Sequence, residues 1–203
     1  MASPVFEACV RGACAPAKSQ LEKLFVKFIE DHWKPEPNQR NEFIVRAVPF
    51  LYHAMCERAV RALVMNYHKV NRSLFNDGAE QHKEEARFHM DAHARKWLES
   101  ISDGERAMYD RLRNERERAT FRICRHLSRR VSRYREDCEG DQFILVYEDL
   151  ANRLLIDPKA AYRIMRDFKR IGVVELVRNG ERRRPGMVKP RGSVWRYCLH
   201  DPP

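Results

Sequence analysis

Residues 157–178 read DPKAAYRIMRDFKRIGVVELVR, and this stretch specifies the fold of the C-terminal half. The Asp-Pro dipeptide that opens it supplies an N-cap and a first-turn proline, so a helix is predicted over residues 159–171. Gly172 follows at the position where a left-handed backbone conformation commonly ends a helix. The apolar run over residues 173–178 is typical of a strand, because it is short and rich in valine.

Shorter elements are predicted on both sides of this helix and strand. The run over residues 143–146 is short and apolar, which favours a strand, and residues 147–155 fit a short helix. Residues 194–199, VWRYCL, are the expected antiparallel partner of the strand over 173–178. The segment between these two strands, NGERRRPGMVKPRGS, is polar and rich in glycine and proline, which predicts an exposed loop.

An amphipathic, arginine-rich segment precedes these elements. Residues 111–135 contain ten arginines and two acids, yet apolar side chains recur through them at helical spacing. The resulting order is helix, strand, helix, turn, helix, strand, basic loop and strand. Together with the phrase AAYRIMRDFKRIGVVELVRNG over residues 160–180, this order resembles the winged-helix superfamily across roughly residues 112–200. The resemblance implies a recognition helix over 159–171, a basic wing over 178–193 and DNA binding.

The two faces of the predicted recognition helix support DNA binding independently. One face is apolar and is predicted to be buried; it carries Ala161, Ile164, Met165, Phe168 and Ile171. An arginine on the other face can donate two hydrogen bonds to O6 and N7 of guanine, and a basic loop can hold phosphates. The predicted DNA contacts are Lys159, Tyr162, Arg163, Arg166 and Arg170 on the helix, Arg182, Arg183, Arg184, Lys189 and Arg191 in the loop, and Arg122, Arg125 and Arg129 on the arginine-rich helix.

Positive charge is concentrated in the same half of the chain. The 203 residues include 39 Lys and Arg against 29 Asp and Glu, a net charge of +10. Residues 111–135 alone carry +8, and residues 178–191, with six basic residues and one acid, carry +5. Such a cluster indicates a polyanionic partner. For the arginine-rich helix, pairing with acids elsewhere in the fold is the alternative interpretation.

The expected fold class is mainly α, with a helical bundle followed by a winged-helix (α+β) domain that contains a small antiparallel hairpin. Residues 1–18 are expected to be a flexible lead-in, because they show no sustained periodicity. Residues 19–110 are assigned to the helical bundle, whose first helix is capped by Ser19 and closes at Trp33. Residues 111–203 are assigned to the winged-helix domain.

Three further features of the bundle are predicted from local patterns. Pro49 falls inside the second helix and predicts a kink or a break. A polar helix is expected over residues 79–100, with Phe88 among its main apolar anchors. Ser102 and Glu105 have the spacing of a capping box, which opens one more helix.

The start of the bundle also carries a family resemblance. Residues 33–41, WKPEPNQRN, followed by apolar helices, resemble the start of the helical-bundle domain found C-terminal to primases of plasmids and phages. The resemblance implies that Arg40 and Asn41 are candidate contacts to template or nucleotide; the alternative is a helix cap at Asn41 beside an exposed Arg40. A primase palm would carry paired metal ligands of the Asp-x-Asp kind, which the sequence lacks. On this resemblance the chain is an accessory subunit without its own catalytic centre.

The sequence contains few signals of catalysis or metal binding. It has no phosphate-binding loop ending in Gly-Lys-Ser/Thr, no dinucleotide fingerprint and no Gly-x-Ser-x-Gly elbow, so neither enzyme activity nor a cofactor is predicted. His82, His89 and His93 lie near one helical face and are candidate metal ligands, with solvated histidines as the alternative. Among the six cysteines, Cys9 and Cys14 form at most half a metal site.

These observations lead to one principal hypothesis and two alternatives. The principal hypothesis is a DNA-binding protein of replication initiation or transcriptional control in a bacterium, plasmid or phage, whose bundle serves homodimerisation or a replication partner. One alternative is a protein-interaction adaptor; the other is a nuclease or primase subunit that uses the histidine cluster. Double-stranded DNA is the favoured target, although the same arginines would serve single-stranded DNA or RNA. Without a secretory signal or an apolar run of membrane-spanning length, the expected location is the cytoplasm, on the nucleoid in a bacterium.

Overall fold

The chain divides into two compact units, Met1–Ser100 and Ile101–Pro203. The computed structural model describes residues 40–75, 78–131, 138, 140–180 and 192–199. Within these residues there are seven α-helices and one three-stranded antiparallel sheet, so the prediction of a mainly helical fold is confirmed. None of the described helices is long and apolar enough to cross a membrane. The predicted lead-in and the predicted helix that ends at Trp33 lie outside the described residues.

In the first unit, three helices pack against one another. They are α1 (Arg40–Ala54), α2 (Glu57–Val70) and α3 (Ala79–Glu99), and a single 3₁₀ turn, Arg72–Leu74, follows α2. Their buried side chains recur at helical spacing, and Phe43 stacks on Tyr67 with 3.7 Å between the ring centroids. The three described helices therefore share one apolar core, which stabilises them together.

Two predictions for this unit need correction. α1 continues through Pro49, so of the predicted kink or break the break does not occur. Pro49 cannot donate to the carbonyl of Val45, and Val45 lies on an exposed side of the helix, where it is 49% exposed. Phe88 is 65% exposed and anchors nothing. It lies on the opposite side of α3 from the buried face, which is formed by His82, Ala86, Met90 and Trp97.

The second unit contains four helices and three strands in the described residues. In chain order they are α4 (Asp103–Arg111), α5 (Glu115–Val131), β1 (Gln142–Leu145), α6 (Tyr147–Leu154), α7 (Pro158–Arg170), β2 (Val174–Arg178) and β3 (Ser193–Tyr197). α6 packs against α7, and α5 packs against α6 and against strands β1 and β3. The helices thus cover a small sheet rather than forming a second bundle.

The three strands are ordered β1-β3-β2, and both pairings are antiparallel. The predicted pairing of the last two strands is confirmed, since Leu176 of β2 faces Trp195 of β3. The sequence predicts only a hairpin, but β1 also pairs with β3, where Phe143 lies opposite Trp195. Because Phe143 and Trp195 are buried, this third strand completes the core of the unit.

Local signals set the ends of α7 as predicted. The Asp157 carboxylate accepts a hydrogen bond from the Lys159 N–H at 2.6 Å, and proline follows in the first turn. Gly172 has φ +78°, the left-handed conformation expected at the end of a helix. Leu155 takes φ 53° and forms the turn between α6 and α7. The prediction that Ile171 is buried is wrong, because it lies just beyond the last helical residue and is 41% exposed.

The helix α4 belongs to the second unit, which therefore begins ten residues earlier than the sequence assignment. Its capping box is formed as predicted, with the Ser102 hydroxyl and the Glu105 carboxylate bonding to each other's backbone N–H groups. Glu105 also accepts hydrogen bonds from Arg125 Nε at 2.7 Å and from the Tyr197 hydroxyl at 3.0 Å. These buried contacts attach α4 to α5 and β3, and a boundary at residue 110 would cut them.

Candidate nucleic-acid interface

α7 presents a row of cationic side chains on the face opposite its core contacts. Ala161, Met165 and Phe168 are buried, while Ile164 is half-buried. The positions predicted as DNA contacts are all exposed: Lys159, Tyr162, Arg163, Arg166 and Arg170. Spacings of three and four residues keep them on one stripe, about 16 Å long at 1.5 Å per residue. The division of this helix into a buried and an exposed face is confirmed.

The positive charge of this stripe is only slightly neutralised. Arg163 and Arg166, at its centre, form no salt bridge with any acid in the described part of the chain. Arg170 lies 3.5 Å from Asp167, but the Arg170 side chain is 72% exposed, so the pair is screened by water. The middle of α7 therefore projects two cations that are accessible to an anionic partner.

An aromatic contact holds Tyr162 at the edge of the stripe. Its ring meets the ring of Tyr147, the first residue of α6, at 5.3 Å and 84°, and Tyr162 remains 48% exposed. Burial raises the pKa of Tyr147 more than a hydrogen bond with Ser193 lowers it, so the Tyr147 phenol stays neutral at physiological pH. No sequence pattern indicates this support, because the two tyrosines lie on different helices.

Two arginines of α5 that were predicted to contact DNA are buried instead. Arg122 is 1% exposed, with Nη2 3.6 Å from Glu115. Arg125 is 5% exposed and bonds to Glu105 through Nε. Neither guanidinium can reach a nucleic acid, and the alternative interpretation, pairing with acids of the fold, holds for both. Arg129 is exposed, as a DNA contact would require.

The base of the predicted wing is closed by contacts between its two ends. The N–H of Gly180 donates to the Ser193 hydroxyl at 3.0 Å, and Arg178 is exposed where β2 ends. Gly192 approaches β1 so closely that a Cβ there would lie 2.8 Å from Ile144 Cγ2 and 3.0 Å from the backbone of Leu145. The predicted loop contacts lie outside the described residues: Arg182, Arg183, Arg184, Lys189 and Arg191.

Replacing Gly192 by alanine is expected to destabilise the second unit by about 1–3 kcal/mol, because the new methyl group meets stiff β-branched side chains and backbone. Urea unfolding of the full chain, followed by hydrogen exchange in β3 peptides, would measure this loss.

Gly104→Ala is the matched control for that substitution. An added Cβ at Gly104, in the first turn of α4, meets nothing closer than 4.0 Å, so the change should stabilise by about 0.5–1 kcal/mol. Equal effects of the two alanines would show that Gly192 is not tightly packed.

The three candidate metal ligands on α3 do not come together. His82 is buried and its Nε2 lies 2.9 Å from the carbonyl oxygen of Val64. His93 Nε2 lies 3.1 Å from His53 Nε2 of α1, and His89 contacts the exposed ring of Phe88. In the described ranges no group of three or more His, Cys, Asp or Glu side chains has the arrangement of a metal site.

Other candidates from the sequence fall into two groups. The side chains of Arg40 and Asn41, and both Cys9 and Cys14, lie outside the described residues. Cys124 is fully buried, and burial raises the pKa of its thiol, so it behaves as a small core residue.

Sequence reasoning missed two cations close to the end of α7. Arg111 is the last residue of α4 and Arg113 lies in the short connection to α5, and both line a cleft together with Phe168 and Arg170 of α7. They are more than fifty residues from Phe168 and Arg170 in the chain, so only the packed structure brings them together. The only indication of these two cations in the sequence was that both belong to the arginine-rich segment 111–135.

Comparison of the chain with family models, with curated proteins and with solved structures gave no match.

Proposed function

We propose that the second unit is a winged-helix domain that binds duplex DNA. In this proposal α7 lies in the major groove as the recognition helix, and the basic loop between β2 and β3 contacts the phosphate backbone. The proposed reading contacts are Lys159, Arg163 and Arg166, with Tyr162 and Arg170 beside them.

The order of the elements supports the winged-helix arrangement. After α4, helix α5 and strand β1 precede a pair of helices joined by a tight turn at Leu155, and two strands follow. The last strand lies between the other two, so that the connection from β2 to β3 is a hairpin at one edge. In such an arrangement the second helix of the pair can enter a major groove while the hairpin loop lies beside it.

The cationic stripe on α7 is the observation that carries the proposal. A helix packed on one face and cationic on the other suits the major groove, which is about 12 Å wide and admits an α-helix. Arg163 and Arg166 have no acidic partner in the described residues, so binding DNA would not first require breaking an internal ion pair. The guanidinium of each can donate two parallel hydrogen bonds to one guanine.

We assign the protein to replication initiation or transcriptional control. The first unit, whose described residues carry no comparable cationic stripe, would then serve dimerisation or a replication partner. This assignment rests on the same DNA-binding proposal and fails with it.

Affinity for a short fluorescent DNA duplex is expected to fall steeply as salt rises from about 50 to 200 mM. Each phosphate contact contributes about −0.9 to the slope of log K against log salt, so three contacts give a slope near −3. Fluorescence anisotropy of the full chain, titrated at several salt concentrations, measures this slope.

The same titration distinguishes the proposal from its main alternative. A slope near zero, or no binding to any duplex at low salt, would reject phosphate contact by this protein. A protein-interaction adaptor would give that result, and it would also purify without nucleic acid, with a low ratio of absorbance at 260 to 280 nm.

A further inference from the structure

We propose that a cleft at the C-terminal end of α7 binds a small organic carboxylate with an apolar body. The cleft has a volume of about 260 Å³ and lies between α4, the beginning of α5 and the second half of α7. This is below the roughly 300–1,000 Å³ of sites for drug-sized molecules, so a ligand of one or two rings or a short chain fits it best.

The floor of the cleft is apolar and incompletely covered. Met108 and Ile164 are half-buried, and Ile171, just beyond α7, is 41% exposed, whereas Ala161, Met165 and Phe168 are buried. Leaving apolar surface in contact with water is unfavourable, and a ligand with an apolar body would cover it. The cleft therefore favours a molecule with hydrocarbon surface over a purely polar anion.

Both acids that line the cleft already have partners. The Glu117 carboxylate accepts hydrogen bonds from the Arg113 N–H at 2.8 Å and from Asn114 Nδ2 at 3.1 Å, which cap the start of α5. Asp167 lies 3.5 Å from Arg170. Against these two acids the cleft is lined by three arginines, Arg111, Arg113 and Arg170, so one net positive charge remains.

Two arginines at the mouth of the cleft are left without an acidic partner. Arg111 and Arg113 are exposed, and neither guanidinium forms a salt bridge with an acid in the described part of the chain. A guanidinium binds a carboxylate through two parallel hydrogen bonds. Two arginines beside an apolar floor can therefore bind a carboxylate whose apolar body covers that floor. The ligand class follows from this pairing of charge with apolar surface.

Occupation of the cleft would also affect α7. Arg170 and Asp167 line the cleft and belong to the helix that carries the cationic stripe, so a bound carboxylate would compete for Arg170. This regulatory consequence rests on the proposed DNA binding, whereas the binding of the carboxylate does not.

Titration with 2-naphthoate, followed by NMR of the full chain without DNA, tests the site. Saturable shifts are expected for the methyl groups of Met108, Ile164 and Ile171, with a Kd on the order of 1 mM for a ligand of this size. The neutral isostere 2-naphthalenemethanol should bind about tenfold more weakly, because it lacks the charge that the arginines recognise. Absence of saturable shifts, or equal binding of the alcohol, would overturn the proposal.

A double substitution, Arg111→Gln with Arg113→Gln, is expected to weaken 2-naphthoate binding about tenfold or more. The matched control is Arg116→Gln with Arg129→Gln, which removes two exposed arginines of α5 that do not line the cleft. The control should leave the Kd unchanged. Equal Kd values for the two double variants, both folded by circular dichroism, would overturn the site. Since no DNA is present, this result is independent of the proposed function.

Discussion

Replacing Glu105 by glutamine is expected to destabilise the second unit by about 3–5 kcal/mol, the cost of leaving one partner of a buried ion pair without its counter-charge. Glu105 is 2% exposed and lies 2.7 Å from Arg125 Nε, which is also buried. The amide retains the size of the side chain, so the loss reports the charge rather than a cavity. Urea unfolding of the full chain, with hydrogen exchange in β3 peptides to isolate the second unit, measures it.

Two further variants make this prediction specific. Asp110→Asn removes one partner of the exposed pair between Arg106 and Asp110 and should cost about 0.2–1 kcal/mol. The double variant Glu105→Gln with Arg125→Met should recover a large part of the lost stability, because no unpaired charge is left inside. A Glu105→Gln effect no larger than that of Asp110→Asn would mean that the buried pair does not hold α4 in place.

Glu105→Gln should also change how the stability of the second unit depends on pH. Burial by itself would raise the pKa of Glu105, but hydrogen bonds from Arg125 and the Ser102 N–H, with the charge of Arg125, bring it below its ordinary value of 4.5. A carboxyl with a lowered pKa stabilises the fold above its unfolded pKa, and this contribution is lost as the pH falls through the folded pKa. The wild-type chain should therefore lose stability below about pH 4.5 more steeply than Glu105→Gln does.

Replacing Arg163 and Arg166 together by alanine is expected to lower affinity for the preferred duplex roughly 100-fold, because each guanidinium that reads a guanine contributes about 1–3 kcal/mol. Both side chains are exposed on α7, so the fold should tolerate the change. The preferred duplex is first selected by the wild-type protein from a randomised pool. Anisotropy titrations against that duplex and a scrambled one of the same length then give the loss of affinity and of discrimination.

A double alanine variant in the first unit controls for net charge. Arg87→Ala with Arg95→Ala removes the same two charges from exposed positions of α3 and should leave both affinities nearly unchanged. Substituting Arg182, Arg183 and Arg184 in the loop should instead weaken selected and scrambled duplexes alike, as phosphate contacts do. If the Arg163 and Arg166 variant also lost affinity equally for both duplexes, α7 would not be the element that recognises the base sequence.

The second unit was largely predictable where short-range interactions determine the structure. Asp157 and Gly172 fix the two ends of α7 through a side-chain cap and a left-handed residue, and both signals lie within a few residues of the ends they set. The capping box at Ser102 was predictable for the same reason. The buried and exposed faces of α7 follow from its 3.6-residue period, so the spacing of residues along the chain is enough to predict the cationic stripe.

The predicted exposure of the arginines of α5 was wrong for two of them, because arginine is almost always exposed and the sequence contains no sign of the exceptions. Arg122 and Arg125 are buried because Glu105 and Tyr109 of α4 and Glu115 of α5 contact them there. Phe88 shows the opposite case: an apolar residue at a plausible spacing is exposed, because the inner face of α3 is set by the helices that pack on it.

The ends of α7, the capping box of α4 and the cationic face of α7 are set by the amino-acid sequence alone, since they depend on neighbours within one or two turns. Tertiary packing, in contrast, determines which positive charges are accessible. Of the +8 carried by residues 111–135, two charges are buried in ion pairs, and two more are brought to the end of α7, where they border a cleft. Burial and pairing depend on side chains that are distant in the chain, which is why no pattern in the sequence could assign them.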